Sequence, residues 1–188
     1  MTELKYKFTH DTLFKMLFVK YPELLKRLVA AALGIAAGSI AEFVITNPEI
    51  PPEALDDKFC RLDINMTLDG TRVNLEVQVE NEGDFPERSL YHWARAYSAA
   101  LRSGSAYSKL PRVIIISILD ETVFDCAEYH SEFLPLEVRR HTPLTDKMLL
   151  HYFEVRKLPE DMDDTDELQL LLSLFRAKTE EELSRLEE

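Results

Sequence analysis

Apolar side chains recur along this chain in two rhythms, one of helices and one of strands. From Thr9 the spacing of Leu13, Phe14, Leu17 and Phe18 predicts a helix, with Thr9 as its cap and Asp11 in the first turn. Pro22 suits a first helical position, so a second helix is expected through Leu24, Leu25, Leu28 and Val29 to a stop near Gly34. Phe43, Val44 and Ile45 form a short apolar strand, and the proline-rich stretch 47–53 must be loop. Two strands then alternate strictly. Leu62, Ile64, Met66 and Leu68 oppose Arg61, Asp63, Asn65 and Thr67; after a turn, Val73, Leu75, Val77 and Val79 oppose Asn74, Glu76, Gln78 and Glu80. The turn, Asp69-Gly70, is a strong two-residue hairpin signal.

Further on, 86–103 reads as an amphipathic helix with Leu90, Trp93, Ala94, Tyr97 and Leu101 on its apolar side. The run from Val113 to Leu119 is apolar enough for a strand buried on both faces. Strand-like segments follow around 129–136 and 148–155. Leu168, Leu171, Leu172 and Phe175 then mark a late helix, and 180–188 looks like the start of another. No cap signal follows Glu188, as expected of a chain that continues further. The order is that of a mixed α/β domain, with 1–120 as its core and 121–188 as C-terminal strands and an acidic helical extension of the same domain.

Charge matters only once it is divided. The chain carries 34 acidic and 22 basic residues, a net of −12, which at first argues against a nucleic-acid partner. Residues 1–110 hold 13 Lys and Arg against 15 Asp and Glu, whereas 111–188 hold 9 against 19. The acidity is therefore concentrated at the C-terminal end and says little about the body. Two cysteines, Cys60 and Cys126, are too few for a disulfide framework and sit in no metal-binding spacing, so both are expected in the core of a cytoplasmic protein. No segment is long and apolar enough for a membrane span or a leader. Glycine-rich phosphate loops are absent, so no nucleotide cofactor is expected.

Hairpin geometry singles out two acids. With Asp69-Gly70 as a two-residue turn, Leu68 faces Thr71, Asn65 faces Asn74, and Asp63 faces Glu76. Two carboxylates directly across a ladder repel one another. A hard divalent cation removes that cost, since Asp and Glu oxygens completed by water describe a Mg²⁺ or Mn²⁺ site. Such an ion orients a water, lowers its pKa and offsets charge on a phosphoryl group. Gln78 lies on the same face and could position water or phosphate, although an amide cannot serve as a general base. The bland alternative is a solvated polar face with Arg61 or Arg72 neutralising the acids.

The motif Asp63-x12-Glu76-Val77-Gln78 resembles the PD-(D/E)XK nuclease signature, in the variant of the Rpn family of recombination-promoting nucleases and transposases, where Gln replaces the last Lys. Asp11-x-x-Phe14-Lys15-x-Leu17-Phe18, Arg61-Leu-Asp-Ile, Arg88-x-Leu-Tyr-x-Trp-x-Arg-x-Tyr97 and Gly104-x-x-Tyr107 before Val113-Ile-Ile-Ile-Ser-Ile resemble the same family, in order, over nearly the whole chain. The resemblance implies an αβββαβ core and a metal-dependent DNA endonuclease using Mg²⁺, Mn²⁺ or Ca²⁺. It implies Asp63 and Glu76 as metal ligands, the Val77 carbonyl as a further ligand, Gln78 in the place of the lysine, and Asp11 as an auxiliary acid. Leu62 stands where the family has Pro.

Helical spacing puts Arg88, Tyr91 or His92, and Arg95 on one face that could grip DNA phosphates, with Lys15 and Lys7 extending it from the first helix; a solvated arginine face explains the same spacing. His92, His130, His141 and His151 show no ligand spacing. Cutting both strands of a duplex takes two sites, which makes a homodimer the natural assembly. The competing expectation is a catalytically silent member that binds DNA or protein within a transposase-like chain.

Overall fold

The computed structural model describes residues 11–47, 63–78, 83–101, 104–161 and 165–179. Its centre is a six-stranded mixed sheet in the order β1-β2-β3-β4-β6-β5. The strands are β1 (Phe43–Ile45), β2 (Ile64–Leu68), β3 (Thr71–Gln78), β4 (Val113–Leu119), β5 (His130–Phe133) and β6 (Met148–Glu154), and the helices are α1 (Asp11–Lys20), α2 (Pro22–Ala32), α3 (Phe85–Ser98) and α4 (Glu167–Arg176). β3, β4 and β6 run parallel, while β1, β2 and β5 pair antiparallel to their neighbours. The parallel step from β3 to β4 needs a long crossover, and α3 supplies it.

The hairpin forms as its turn demands. Asp69 and Gly70 both take positive φ, 45° and 80°, the conformation of a type I′ turn whose twist matches the flanking strands. The Asp69 carboxylate also accepts from the Glu42 amide at 2.8 Å, tying the turn to the start of β1. The register is the one expected, with Leu68 opposite Thr71 and Asn65 opposite Asn74. β4 is buried along its whole length, as a doubly covered central strand should be.

The two faces of the sheet differ. On one, Ile64, Met66, Leu75, Ile114, Ile116 and Phe153 pack with residues of α1, α2 and α4 into the main core, where the Phe14 and Phe18 rings meet edge to face at 5.2 Å and Phe175 stacks on Phe18 at 6.3 Å. On the other, a smaller cluster of Phe85, Ile115, Leu119, Leu150 and Tyr152 is joined by Trp93 of α3. β5 and β6 extend the same sheet, so the strands expected after residue 121 belong to one layer with the rest.

Three expectations change. The inward side of α3 is Phe85, Ser89, His92, Trp93 and Ala96; Leu90 is 44% exposed and Ala94 is exposed. The apolar stripe holds only in part: Trp93 joins the apolar cluster over β4 and β6, but toward β2 and β3 the sheet beneath α3 is polar, and there His92 turns in toward Glu76. Lys15 is 4% exposed, which removes it from any exposed basic surface. Cys126 is exposed rather than in the core. Thr9, Lys7, Cys60, Arg61, Leu62 and the 180–188 segment lie outside the described residues. Among the described residues no helix is long and apolar enough to cross a membrane.

Candidate active site

The site is built on the polar face of the β2–β3 hairpin. Continuing the observed register by one residue places Asp63, immediately before β2, opposite Glu76 of β3. Strand alternation puts Asn65, Asn74 and Gln78 on that face with them. These side chains are not simply solvated: Asn74 is 7% exposed and Glu76 9%. Among the described residues, neither acid meets a Lys or Arg within ion-pair distance, and Arg72 instead donates to the Ala96 carbonyl at 3.2 Å.

Neutral groups orient the acids. The Asn74 amide nitrogen donates to Asp63 Oδ2 at 2.6 Å and to Asn65 Oδ1 at 2.9 Å. Asn47 latches the chain leading into β2, donating to the Asp63 carbonyl at 3.0 Å and accepting from the Asn65 amide at 2.7 Å. Across the β3–β4 pair, where Glu76 is registered with Ser117, the buried Ser117 hydroxyl donates to Glu76 Oε1 at 3.0 Å. From α3, His92 Nδ1 lies 3.5 Å from Glu76 Oε2. A helical turn earlier, Arg88 donates to Gln78 Oε1 at 2.7 Å while its guanidinium lies over the Phe85 ring. Beneath these, Ser89 and Tyr152 share a buried hydroxyl–hydroxyl hydrogen bond. Burial chiefly raises the Tyr152 pKa, and the Glu76 charge adds to the rise, so the phenol stays protonated at neutral pH.

The structure thus gathers Asp63, Glu76, Gln78 and Arg88 on one face. Val77 turns its side chain into the opposite core. Asp11 opens α1, and its side chain lies outside the described residues. Tyr91 is 58% exposed with the Arg95 guanidinium over its ring, so this pair stands outside the inward side of α3. Sequence reasoning missed Asn74, Ser117 and the Ser89–Tyr152 pair, and treated His92 as isolated. Register alone could have found Asn74, which alternates with Glu76. Ser117 gives a weaker signal, the one polar residue in the apolar run of β4.

A family model described as PD-(D/E)XK nuclease family transposase matches residues 8–188. The chain belongs to this family. No curated protein and no solved structure matches it. Among the described residues, the mixed six-stranded sheet with four α-helices is consistent with a PD-(D/E)XK nuclease-like fold, and membership supports a nuclease- or transposase-like function with DNA as the implied substrate.

PD-(D/E)XK nucleases generally use divalent metals, and the donors present fit such an ion. Two carboxylates share the face, and both are hard oxygen donors. Among the described residues no group of three or more His, Cys, Asp or Glu side chains is assembled for a metal. That suits an ion bound through one or two carboxylates and otherwise by water and substrate oxygens, as Mg²⁺ is, rather than a closed zinc site.

Proposed function

We propose that this PD-(D/E)XK family member is a divalent-metal-dependent DNA endonuclease with Asp63 and Glu76 as its metal ligands, acting in recombination or transposition. The observation that carries the reading is the pair itself: two acids set opposite by register, oriented by Asn74, Ser117 and His92, and met by no Lys or Arg among the described residues. Buried carboxylates are ordinarily paired or bound to metal, because desolvating an uncompensated charge is costly.

A bound Mg²⁺, Mn²⁺ or Ca²⁺ supplies a water of lowered pKa and offsets charge building on the phosphoryl group. The protein's own part is preorganisation. Asn74 holds one oxygen of Asp63 and Ser117 one oxygen of Glu76, with His92 3.5 Å from the other Glu76 oxygen, so both carboxylates are fixed in orientation before an ion would arrive. The Val77 carbonyl is a further oxygen at the same level. Gln78 replaces the lysine of the signature and carries Arg88, which places a guanidinium on the site face where phosphate charge develops. Asp11 is the auxiliary acid, and Arg95 with Tyr91 forms an outer phosphate contact. The nuclease core is 1–120, with 121–188 as an extension of the same domain. Two copies in a homodimer would cut both strands, and the cytoplasm is the expected compartment.

The test is a plasmid-nicking assay with and without Mg²⁺ or Mn²⁺, repeated with Asp63→Ala. Metal-dependent nicking by the wild type that disappears in the variant is expected. Nicking that survives Asp63→Ala would refute the assigned site, and no cutting by the wild type with DNA binding retained would favour a silent binding module.

A further inference from the structure

Beside the two acids the polar face opens into a cavity of about 450 Å³, lined among others by Thr46, Asn47, Asn65, Thr67, Arg72 and Asn74. Its size lies within the range of small-molecule pockets, about 300–1,000 Å³. A nucleotide fits such a volume and a double helix does not. Its chemistry is mixed: amides, hydroxyls and one cationic side chain, Arg72, fixed against α3 by its bond to the Ala96 carbonyl, stand beside the apolar Met66, Val73 and Val113.

Asn74 joins cavity and site. Its nitrogen holds Asp63 and Asn65, while its oxygen is buried without a partner. A buried acceptor left unsatisfied costs on the order of 1–3 kcal/mol, so this wall has a place for a donor. Every nucleobase carries a donor, but in a duplex the edge that faces its partner is already bonded. Paired adenine and cytosine still offer an amino hydrogen in the major groove, but a cavity of this size admits a base only once that base has left the helix.

We infer that this cavity takes one unpaired nucleotide of the DNA strand next to the bond being cut, with Asn74 Oδ1 accepting a hydrogen bond from its base. The inference rests on the nuclease reading of the adjacent acids. It predicts a preference for single-stranded DNA, or for duplexes containing a mismatched or unpaired nucleotide, because extruding a base costs least there.

The test compares oligonucleotides of one sequence as a perfect duplex, as a duplex with one unpaired nucleotide, as a single strand and as RNA. Binding is followed by fluorescence anisotropy in Ca²⁺, and cutting in Mg²⁺. The wild type should bind the unpaired and single-stranded forms at least about tenfold more tightly than the perfect duplex, the scale of one lost hydrogen-bonding contact. Thr67→Leu, and separately Thr46→Phe at an exposed position, fill the cavity. Each should abolish the preference while leaving Mn²⁺ affinity, measured by titration calorimetry, at the wild-type value. Equal binding of all DNA forms by the wild type, a preference that survives both filled variants, or tighter binding of the RNA would overturn the inference. Cutting without any preference would remove the cavity from the account and leave the nuclease reading standing. A preference without cutting by any form would do the reverse.

Discussion

The two faces of one sheet in this protein follow opposite rules. On the side of α1, α2 and α4, β2 and β3 present Ile64, Met66, Val73 and Leu75, and packing determines everything. On the side of α3 the same strands present Asp63, Asn65, Asn74 and Glu76, and hydrogen bonds between neutral groups and carboxylates replace packing. Polar side chains do occur on the apolar face, but in a different form. His130 Nε2 and His151 Nδ1 lie 3.0 Å apart, stacked near Phe153, and burial holds both rings uncharged, with the His151 pKa lowered to about 4. The strands of the apolar face therefore bury polar atoms only as neutral ones. The α3 face keeps Asp63 and Glu76 as acids with no Lys or Arg beside them among the described residues, and the proposed metal site rests on that difference.

The apolar face should respond most strongly to the loss of a core side chain. Leu75→Ala removes a fully buried side chain from the apolar face and should cost about 2–5 kcal/mol in urea denaturation; a loss comparable to that of a surface change would show that this face does not carry the stability. Next, acid should weaken the same face through its histidines. His151 has a native pKa below its unfolded value of 6.5, so the unfolded chain binds the proton first. Its contribution to stability is complete above pH 6.5 and is lost as the pH falls toward about 4, by at most about 3 kcal/mol. His151→Phe should flatten that part of the stability-versus-pH curve, and an unchanged curve would contradict the assignment.

On the α3 face the expected pattern reverses, with small effects on stability and large ones on ion binding. Ser117→Ala removes the donor to Glu76 and should lower Mn²⁺ affinity about 10–100-fold, the usual cost of losing a group that orients a metal ligand, while costing about 1 kcal/mol of stability. Smallest of all, Ala94→Gln should change stability by less than about 0.5 kcal/mol, because Ala94 is exposed on the outer side of α3. A large loss would restore the phase of α3 read from apolar spacing.

That phase error explains how far the sequence could be read. Alternation and the Asp69-Gly70 turn made the hairpin legible to the residue, including the Asp63–Glu76 opposition, since a type I′ turn leaves no freedom of register. β4, β6 and α4 were equally legible because each is covered by apolar neighbours. α3 was legible only in part, because apolar periodicity reports which side of a helix meets an apolar surface: Trp93 does pack inward and Leu90 lines a small apolar pocket with Phe124 and Phe133, but Ser89 and His92 also turn inward, toward Tyr152 and Glu76, while Ala94 turns out. Ser117 escaped notice for a related reason: in a uniformly buried strand a single hydroxyl carries no periodic signal. The parts of the site that the sequence hid are those where polar groups are buried against polar groups.

The central claim is that Asp63 and Glu76 hold one divalent ion together, and Mn²⁺ titration calorimetry on the wild type, Asp63→Asn and Glu76→Gln tests it most directly. Both substitutions keep the shape of the side chain and one oxygen to accept from Asn74 or Ser117 while removing the charge, so melting temperatures should stay near the wild-type value. The wild type should bind Mn²⁺, and each substitution alone should weaken binding by at least about tenfold, no less than the loss of a supporting group would. Wild-type protein that binds no ion, or a variant that binds it unchanged, would contradict the account.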